Sequence, residues 1–194
     1  MDALPATQQA ALEVAVQASQ VRPRWPAWLA IQPLAVAVVA FAAVAVQERF
    51  APLLLWPILL GGALGIFAAK SAAACRVRKA AAIVVLAGVA GASLVPAMHV
   101  IGWLQFRASY NRQISGDPRL ALVRSASDSL SPPDLAAYLQ RQAERGRNWI
   151  GGQQTGTVVW WSWGLDALLA ASASAVAALV LRRRETTPCS SLAI

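Results

Sequence analysis

The sequence predicts an all-α polytopic membrane protein, a four-transmembrane-helix bundle with a short extramembrane helical hairpin between helices 3 and 4. Three observations carry this. Charged residues make up 13% of the chain and hydrophobic ones 57%, whereas a soluble domain carries about 25% charged residues. The apolar residues, mostly Ala, Val and Leu, fall in four long runs and do not alternate with polar ones. The densest basic clusters, Lys70 to Lys79 and Arg182 to Arg184, sit at the ends of those runs, where lipid headgroups and membrane topology favour them.

Residues 1–26 read as a cytoplasmic tail and not as a signal peptide. They carry Asp2 and Glu13, lack an apolar core beside a basic start, and end in "VRPRWP". Pro5 to Gln20 is compatible with a short surface helix showing Leu12, Ala15 and Val16 on one face, or with a frayed tail.

The first three spans lie within 27–106. A helix needs about 20 residues to cross the hydrocarbon. The first apolar run covers Trp28 to Val46, with Pro33 expected in its first turns, where a missing N–H costs least. "QERFAP" turns the chain around. The second run covers Leu53 to Ala69 and is extensible to Ala74 if Lys70 snorkels; the third covers Ala80 to Phe106.

The loop 107–156 is the one sizeable polar segment. In "GDPRLALVRSASDS", Asp117 and Pro118 have the chemistry of a helix start. In "SPPDLAAYLQRQAERG", Ser131 reads as the cap, Pro132 as the first helical residue, Asp134 as the third residue of a capping box and Gly146 as the terminator. Two such helices cannot bury a core of their own, so they must rest on the membrane, the span ends or another protein. "RGRNWIGGQQTG" after them reads as mobile. The fourth span is 157–181, followed by a cytoplasmic tail, 182–194.

Four spans put both termini on one side. With the termini inside, nine Lys and Arg fall on the inner segments and eight on the outer ones, a margin too small to decide orientation. The two short connections differ more. "KSAAACRVRK" carries four positive charges and no acid, and "QERF" carries one of each, which places the termini in the cytoplasm. Six of the eight tryptophans fall at span edges, Trp25 and Trp28 inside and Trp56, Trp103, Trp160 and Trp161 outside, where indole is favoured. The preference for arginine over lysine fits a bacterial, GC-rich genome and hence an inner membrane.

The net charge of +8 does not mark a nucleic-acid binder, because the cations are not gathered on a soluble face with interleaved aromatics. The two cysteines, Cys75 and Cys189, fall on the same side as the basic clusters, which argues against a structural disulfide. No metal-ligand spacing exists around the single histidine, and no GxSxG, HExxH or P-loop is present. No cofactor and no enzymatic activity are expected.

Two ionisable residues lie inside the spans. Asp166 is nine residues into the fourth, about 13 Å deep, and His99 is seven residues back from Phe106 on the third, about 10 Å deep. An isolated intramembrane carboxylate costs roughly 3 kcal/mol on insertion scales, so it calls for a partner. His99 is the titratable group of the other spans able to meet it. Such a pair would serve as a polar clasp of about 0.6–2 kcal/mol or as a proton or cation relay; His99 could instead be an axial ligand to a haem or pigment. The relay lacks further stations beyond Ser93, Ser162, Ser172 and Ser174, which favours the clasp. Pro96, one turn before His99, frees the carbonyl of Ala92 and marks a static kink absorbed by Ser93. Gly61, Gly65 and Ala69 on the second span and Gly88 and Ala92 on the third recur every four residues, a pattern that lets helices approach closely. The expected role is therefore a non-catalytic structural or accessory subunit contacting lipid and other membrane subunits or copies of itself. A small proton- or cation-coupled transporter component built on Asp166 and His99 is the alternative.

Overall fold

A computed structural model describes residues 23–47, 55–116, 132–149 and 152–186. The expected surface helix in Pro5 to Gln20, the turn residues after Gln47 in "QERFAP", the helix start at Asp117 and Cys189 lie outside them. The described chain is nearly all helical. In order it contains α1 (Trp25–Gln47), α2 (Leu55–Ala74), α3 (Ala80–Gly116), α4 (Leu135–Arg145), a hairpin of β1 (Arg147–Trp149) and β2 (Gly152–Gln154), and α5 (Thr157–Thr186).

Helices α1, α2, α3 and α5 are each long and apolar enough to span a membrane. Their side chains sort in the sense opposite to a water-soluble bundle. Large apolar residues face outward, among them Leu34, Val38, Leu59, Val85, Leu168 and Val176, all exposed. Small ones dominate the interior: Ala40, Ala68, Ala69, Ala87, Ala170 and Ala178 are buried, around a few large residues, Trp28, Leu64, Ile83 and Leu94. Water penalises such an outer surface. In lipid, where tails are as apolar as leucine, small residues inside and large ones outside give the closest helix packing.

Helix α5 packs against both α2 and α3, and α1 packs against α3 and α2. The α5 contacts are made backbone to backbone. A Cβ on Gly61 would strike the main chain of Ala170, and one on Gly65 would strike that of Ser174. On α3 the equivalent position is Gly91, where a Cβ would lie 2.5 Å from the carbonyl oxygen of Ala170. Of the small residues singled out by spacing, Gly61, Gly65 and Ala69 are buried in α2, and Gly88 would bring a Cβ to 3.7 Å from that of Ala175. Ala92 is exposed. It stands one residue, about 100° of helix, past Gly91, so a four-residue repeat counted from Gly88 leaves the interface by a quarter turn.

Hydrogen bonds add specificity to this packing. Ser174 Oγ donates to the Ala87 carbonyl across α5 and α3 at 2.7 Å. At the end of the bundle that carries the α2–α3 turn, buried Trp28 donates from Nε1 to Ser71 Oγ at 3.1 Å, and the Gln32 amide donates to the same oxygen at 3.2 Å. There α2 ends in a Schellman closure: Val77 N–H donates to the Ala72 carbonyl at 2.8 Å and Arg76 N–H to that of Ala73 at 3.0 Å. Val77, which accompanies the closure, is buried in the same cluster as Ala72 and Trp28. Arg76 occupies the left-handed position with φ of 59°, a conformation that suits glycine and strains a residue with a Cβ. Cys75 beside it is a free thiol.

Several boundaries differ from the sequence expectation. Helix α1 starts at Trp25, so Pro33 lies eight residues into it and not in its first turns. Helix α3 runs through Pro96 and ten residues past Phe106 to Gly116. Nothing between Arg107 and Ser115 breaks a helix, and the added turns are held by packing of Phe106 on Tyr138, ring centres 5.6 Å apart. Near Pro96, the Ser93 hydroxyl donates to the Ala90 carbonyl at 2.9 Å and not to that of Ala92.

Two substitutions test this arrangement. Gly65→Val forces α2 and α5 apart and lowers stability by about 1–3 kcal/mol, whereas Gly62→Ala, which meets nothing within 4 Å, leaves it unchanged or higher. Arg76→Gly relieves the left-handed strain and raises stability by about 1 kcal/mol. Thermal unfolding in detergent, followed by tryptophan fluorescence, measures both.

Candidate functional site

The candidate site forms where the loop returns onto the bundle. Its support is α4. Asp134 caps this helix, accepting from the Ala137 N–H at 2.7 Å. The cap thus sits three residues later than the sequence reading put it. Pro133 explains the shift, because a proline disfavours helical backbone at the residue before it and so keeps Pro132 out of the helix. Ser131 lies outside the described residues. Trp103 Nε1 on α3 donates to the Pro133 carbonyl at 3.0 Å, which ties the start of α4 to the extended α3. Burial raises the Tyr138 phenol above its ordinary pKa, partly offset by a hydrogen bond with Gln142 and the charge of Arg145. It therefore stays protonated at neutral pH.

At the other end of α4, Gly146 has φ of 79°, and a Cβ there would lie 2.5 Å from the Gln154 carbonyl oxygen. Only glycine lets the chain reverse this tightly into β1. The hairpin pairs Arg147 with Gln154, Asn148 with Gln153 and Trp149 with Gly152. It is fastened back to α4 by the Gly156 N–H donating to the Ala143 carbonyl at 2.9 Å and by Gln153 Nε2 donating to the Arg145 carbonyl at 2.6 Å. The segment read as mobile is thus a two-stranded hairpin. It lacks the β-branched alternation that announces strands, and its order comes from these contacts with α4.

This geometry aims Arg147, the first residue of β1, at the bundle interior. Its Nη1 donates to the carboxylate of Asp166 and, at 3.5 Å, to Ser162 Oγ one turn nearer the helix start. Ser162 in turn donates to the Val159 carbonyl at 2.7 Å. The side chains of Arg147 and Asp166 are 23% and 9% exposed, so the pair is shielded enough for its charges to depend on each other. The partner of Asp166 therefore comes from the loop and not from a neighbouring span. Arginine suits this role because its charge is permanent and its stem is long.

His99 makes no hydrogen bond to Asp166. Its ring packs on Trp163 of α5, centres 4.2 Å apart and tilted by 55°. Trp163 packs in turn edge-on against Trp160 at 4.9 Å. His99 and Asp166 are nonetheless brought together in one respect: both line a cleft of about 960 Å³, together with Trp56, Gly102, Tyr138 and Arg147. That volume lies at the upper end of the range for small-molecule sites. Among the described residues no three His, Cys, Asp or Glu side chains gather as a metal site would require. Gly61, Gly65, Ala69, Gly88 and Ala92 take no part in the cleft, and Pro96 is exposed on α3.

The sequence reading gives Arg147 and Trp163 no role in a site, and places Trp56 at a span edge without assigning it one. One signal points to the α5 face: Ser162, Asp166, Ala170, Ser174 and Ala178 recur every fourth residue, and all are buried. Arg147 has a fainter one, as the cation next to a terminating glycine.

Removing one partner of the pair strands the other charge, so Asp166→Asn and Arg147→Met each destabilise by about 3 kcal/mol. The double variant loses clearly less than the sum of the two, a coupling measured by a double-mutant cycle on thermal unfolding.

No known protein family, curated protein or solved structure matches the chain, and what the protein does is therefore inferred from the cleft and the ion pair beneath it.

Proposed function

We propose that this is a non-catalytic accessory or structural subunit of a bacterial inner-membrane assembly, multi-pass, with both termini in the cytoplasm. Its α4–hairpin module lies on the opposite side, ready to contact other membrane subunits or a second copy. The observation that carries this reading is the Arg147–Asp166 pair. A carboxylate inside a span is a functional candidate by default, but here it is held by a permanent cation that fastens the loop module to α5. A group so engaged positions structure and does not pass protons. The lipid bilayer is the other partner, in keeping with the large apolar residues on the outer faces; nucleic acid is not one.

A second reading, a small proton- or cation-coupled transporter component, draws on one observation, the shared cleft that reaches both His99 and Asp166.

Reconstituted vesicles separate the two. For the accessory subunit, Asp166→Asn and His99→Gln, alone or together, leave the decay of an imposed pH or cation gradient equal to that of protein-free vesicles, as does the unaltered protein. The Asp166 variant alone melts at a lower temperature. A gradient that decays faster with the unaltered protein, and loses that excess in either variant, establishes the transporter.

A further inference from the structure

We propose that the cleft is a binding site for one anionic phospholipid, drawn from the leaflet on the side of the loop, with its headgroup under α4 and a chain running down α3. The first argument is shape. One face of α3 lines the cleft throughout, through Val95, Met98, Gly102, Phe106, Ser109 and Arg112 at spacings of three or four residues. Seventeen residues separate its ends, about 26 Å along the helix. The portion from Val95 to Phe106 covers about 16 Å, close to half of the roughly 30 Å hydrocarbon core and so to the depth of one leaflet. A free anion or a short metabolite does not need a slot of that length running along the membrane normal.

Phe41 and Val44 from α1 and Val95 and Met98 from α3 give the inner part of the cleft apolar walls beside His99 and the Arg147–Asp166 pair, whereas Gln105, Ser109 and Arg112 stand toward the outer end. The cleft is also open to the surroundings along one lip, since Phe41 is 59% exposed and belongs to the outward face of α1. A lipid can therefore enter sideways with its chain already in hydrocarbon.

Charge and hydrogen-bonding capacity select the headgroup. Arg112 and Arg147 face the cleft with Asp166 as the acid against them, which leaves one positive charge in excess. Arg147 uses Nη1 for Asp166 and Ser162; its Nε and Nη2 make no hydrogen bond among the described residues and provide three further N–H donors. Trp56 Nε1, also on the cleft wall, is buried and has no partner among the described residues. Buried donors without acceptors are rare in folded proteins. The ester and phosphate oxygens of a phospholipid are acceptors without competing donors, and the phosphate carries the negative charge that Arg112 calls for.

The test is native mass spectrometry of the full chain, delipidated in mild detergent and exposed to equal amounts of phosphatidylglycerol and phosphatidylcholine. We expect one retained phosphatidylglycerol per protein, favoured at least tenfold over phosphatidylcholine. Arg112→Gln, at an exposed position beyond the span, weakens that retention about tenfold, the scale of one charge-assisted hydrogen bond, and leaves the melting temperature of the lipid-free protein unchanged. Val95→Trp, which fills the deep end, removes retention of either lipid. Glycerol phosphate, the headgroup without chains, does not displace the bound lipid. Equal retention of the two lipids, unaltered retention in both variants, or displacement by glycerol phosphate alone would each overturn the proposal, the last by showing an anion site that needs no membrane.

Discussion

The structure depends on the close approach of α5 to α2 and α3 around Ala170 and Ser174, where Gly61, Gly65 and Gly91 let main chain touch main chain. In a bilayer, which the length and apolarity of these helices suit, bringing helices together brings no hydrophobic gain, so dispersion and a few hydrogen bonds would hold them, and both fall steeply with distance. Once this contact is set, the rotation of α5 about its axis is set with it. Asp166 lies one turn from Ala170 and Ser162 one turn further, on the same face, so they point inward because Ala170 does. The carboxylate is thus buried as a consequence of helix packing, and Arg147 answers it.

Arginines bind α5 at both ends. On the loop side Arg147 reaches Asp166, and on the other side Arg182 donates from Nη2 to the carbonyls of Val77 and Arg78 in the α2–α3 turn, at 3.4 and 3.3 Å. The two contacts differ in kind. The second closes polar backbone that a Schellman turn leaves exposed, and it needs no charge on its partner. The first joins a segment outside the bundle to a charge within it, and with the Trp103–Pro133 hydrogen bond and the Phe106–Tyr138 contact it fixes α4 and the hairpin on the bundle. This is why the loop module, too small to have a core of its own, still has a fixed place on the bundle.

What the sequence discloses follows from how local each signal is. Four helices of spanning length were legible because every residue in the apolar runs contributes to the signal, and Gly146 as a terminator because a reversal after a helix demands glycine. The cap of α4 lies three residues beyond Ser131 because Pro132 has the chemistry of a helix opener but Pro133 behind it keeps it out of the helix. Spacing marks Gly61 and Gly65, but between Gly91 and Ala92 it points to the wrong one, since composition says nothing about which of two adjacent small residues faces inward. The apolar surroundings of Asp166 in the sequence call for a partner, and equal depth along the helices points to His99. Arg147 is separated from Asp166 by a hairpin that only tertiary contacts create, and no pattern in "RGRNWIGGQQTG" states that its first cation after the glycine will fold back onto the helical bundle.

The cleft follows from the same packing. The side of the bundle bearing the α2–α3 turn is filled: Trp28, Val77 and Ile83 are buried there in one cluster with Ala68, Ala72 and Ala178. The middle is filled by Val36, Leu64 and Leu94 around Ala170. Toward the loop no equivalent large residue occupies the space between α1 and α5 among the described residues; the aromatic groups there, Trp56, Phe106 and Trp163, line the walls and leave the centre open. Helices that touch through glycine in the middle cannot also touch at an end where their facing side chains are tryptophan, histidine and phenylalanine. The volume is therefore forced by the glycine contact and is not a lapse in packing. The polar groups within it face a space that the protein's own side chains do not fill, which is the condition under which a bound amphiphile gains most from entering.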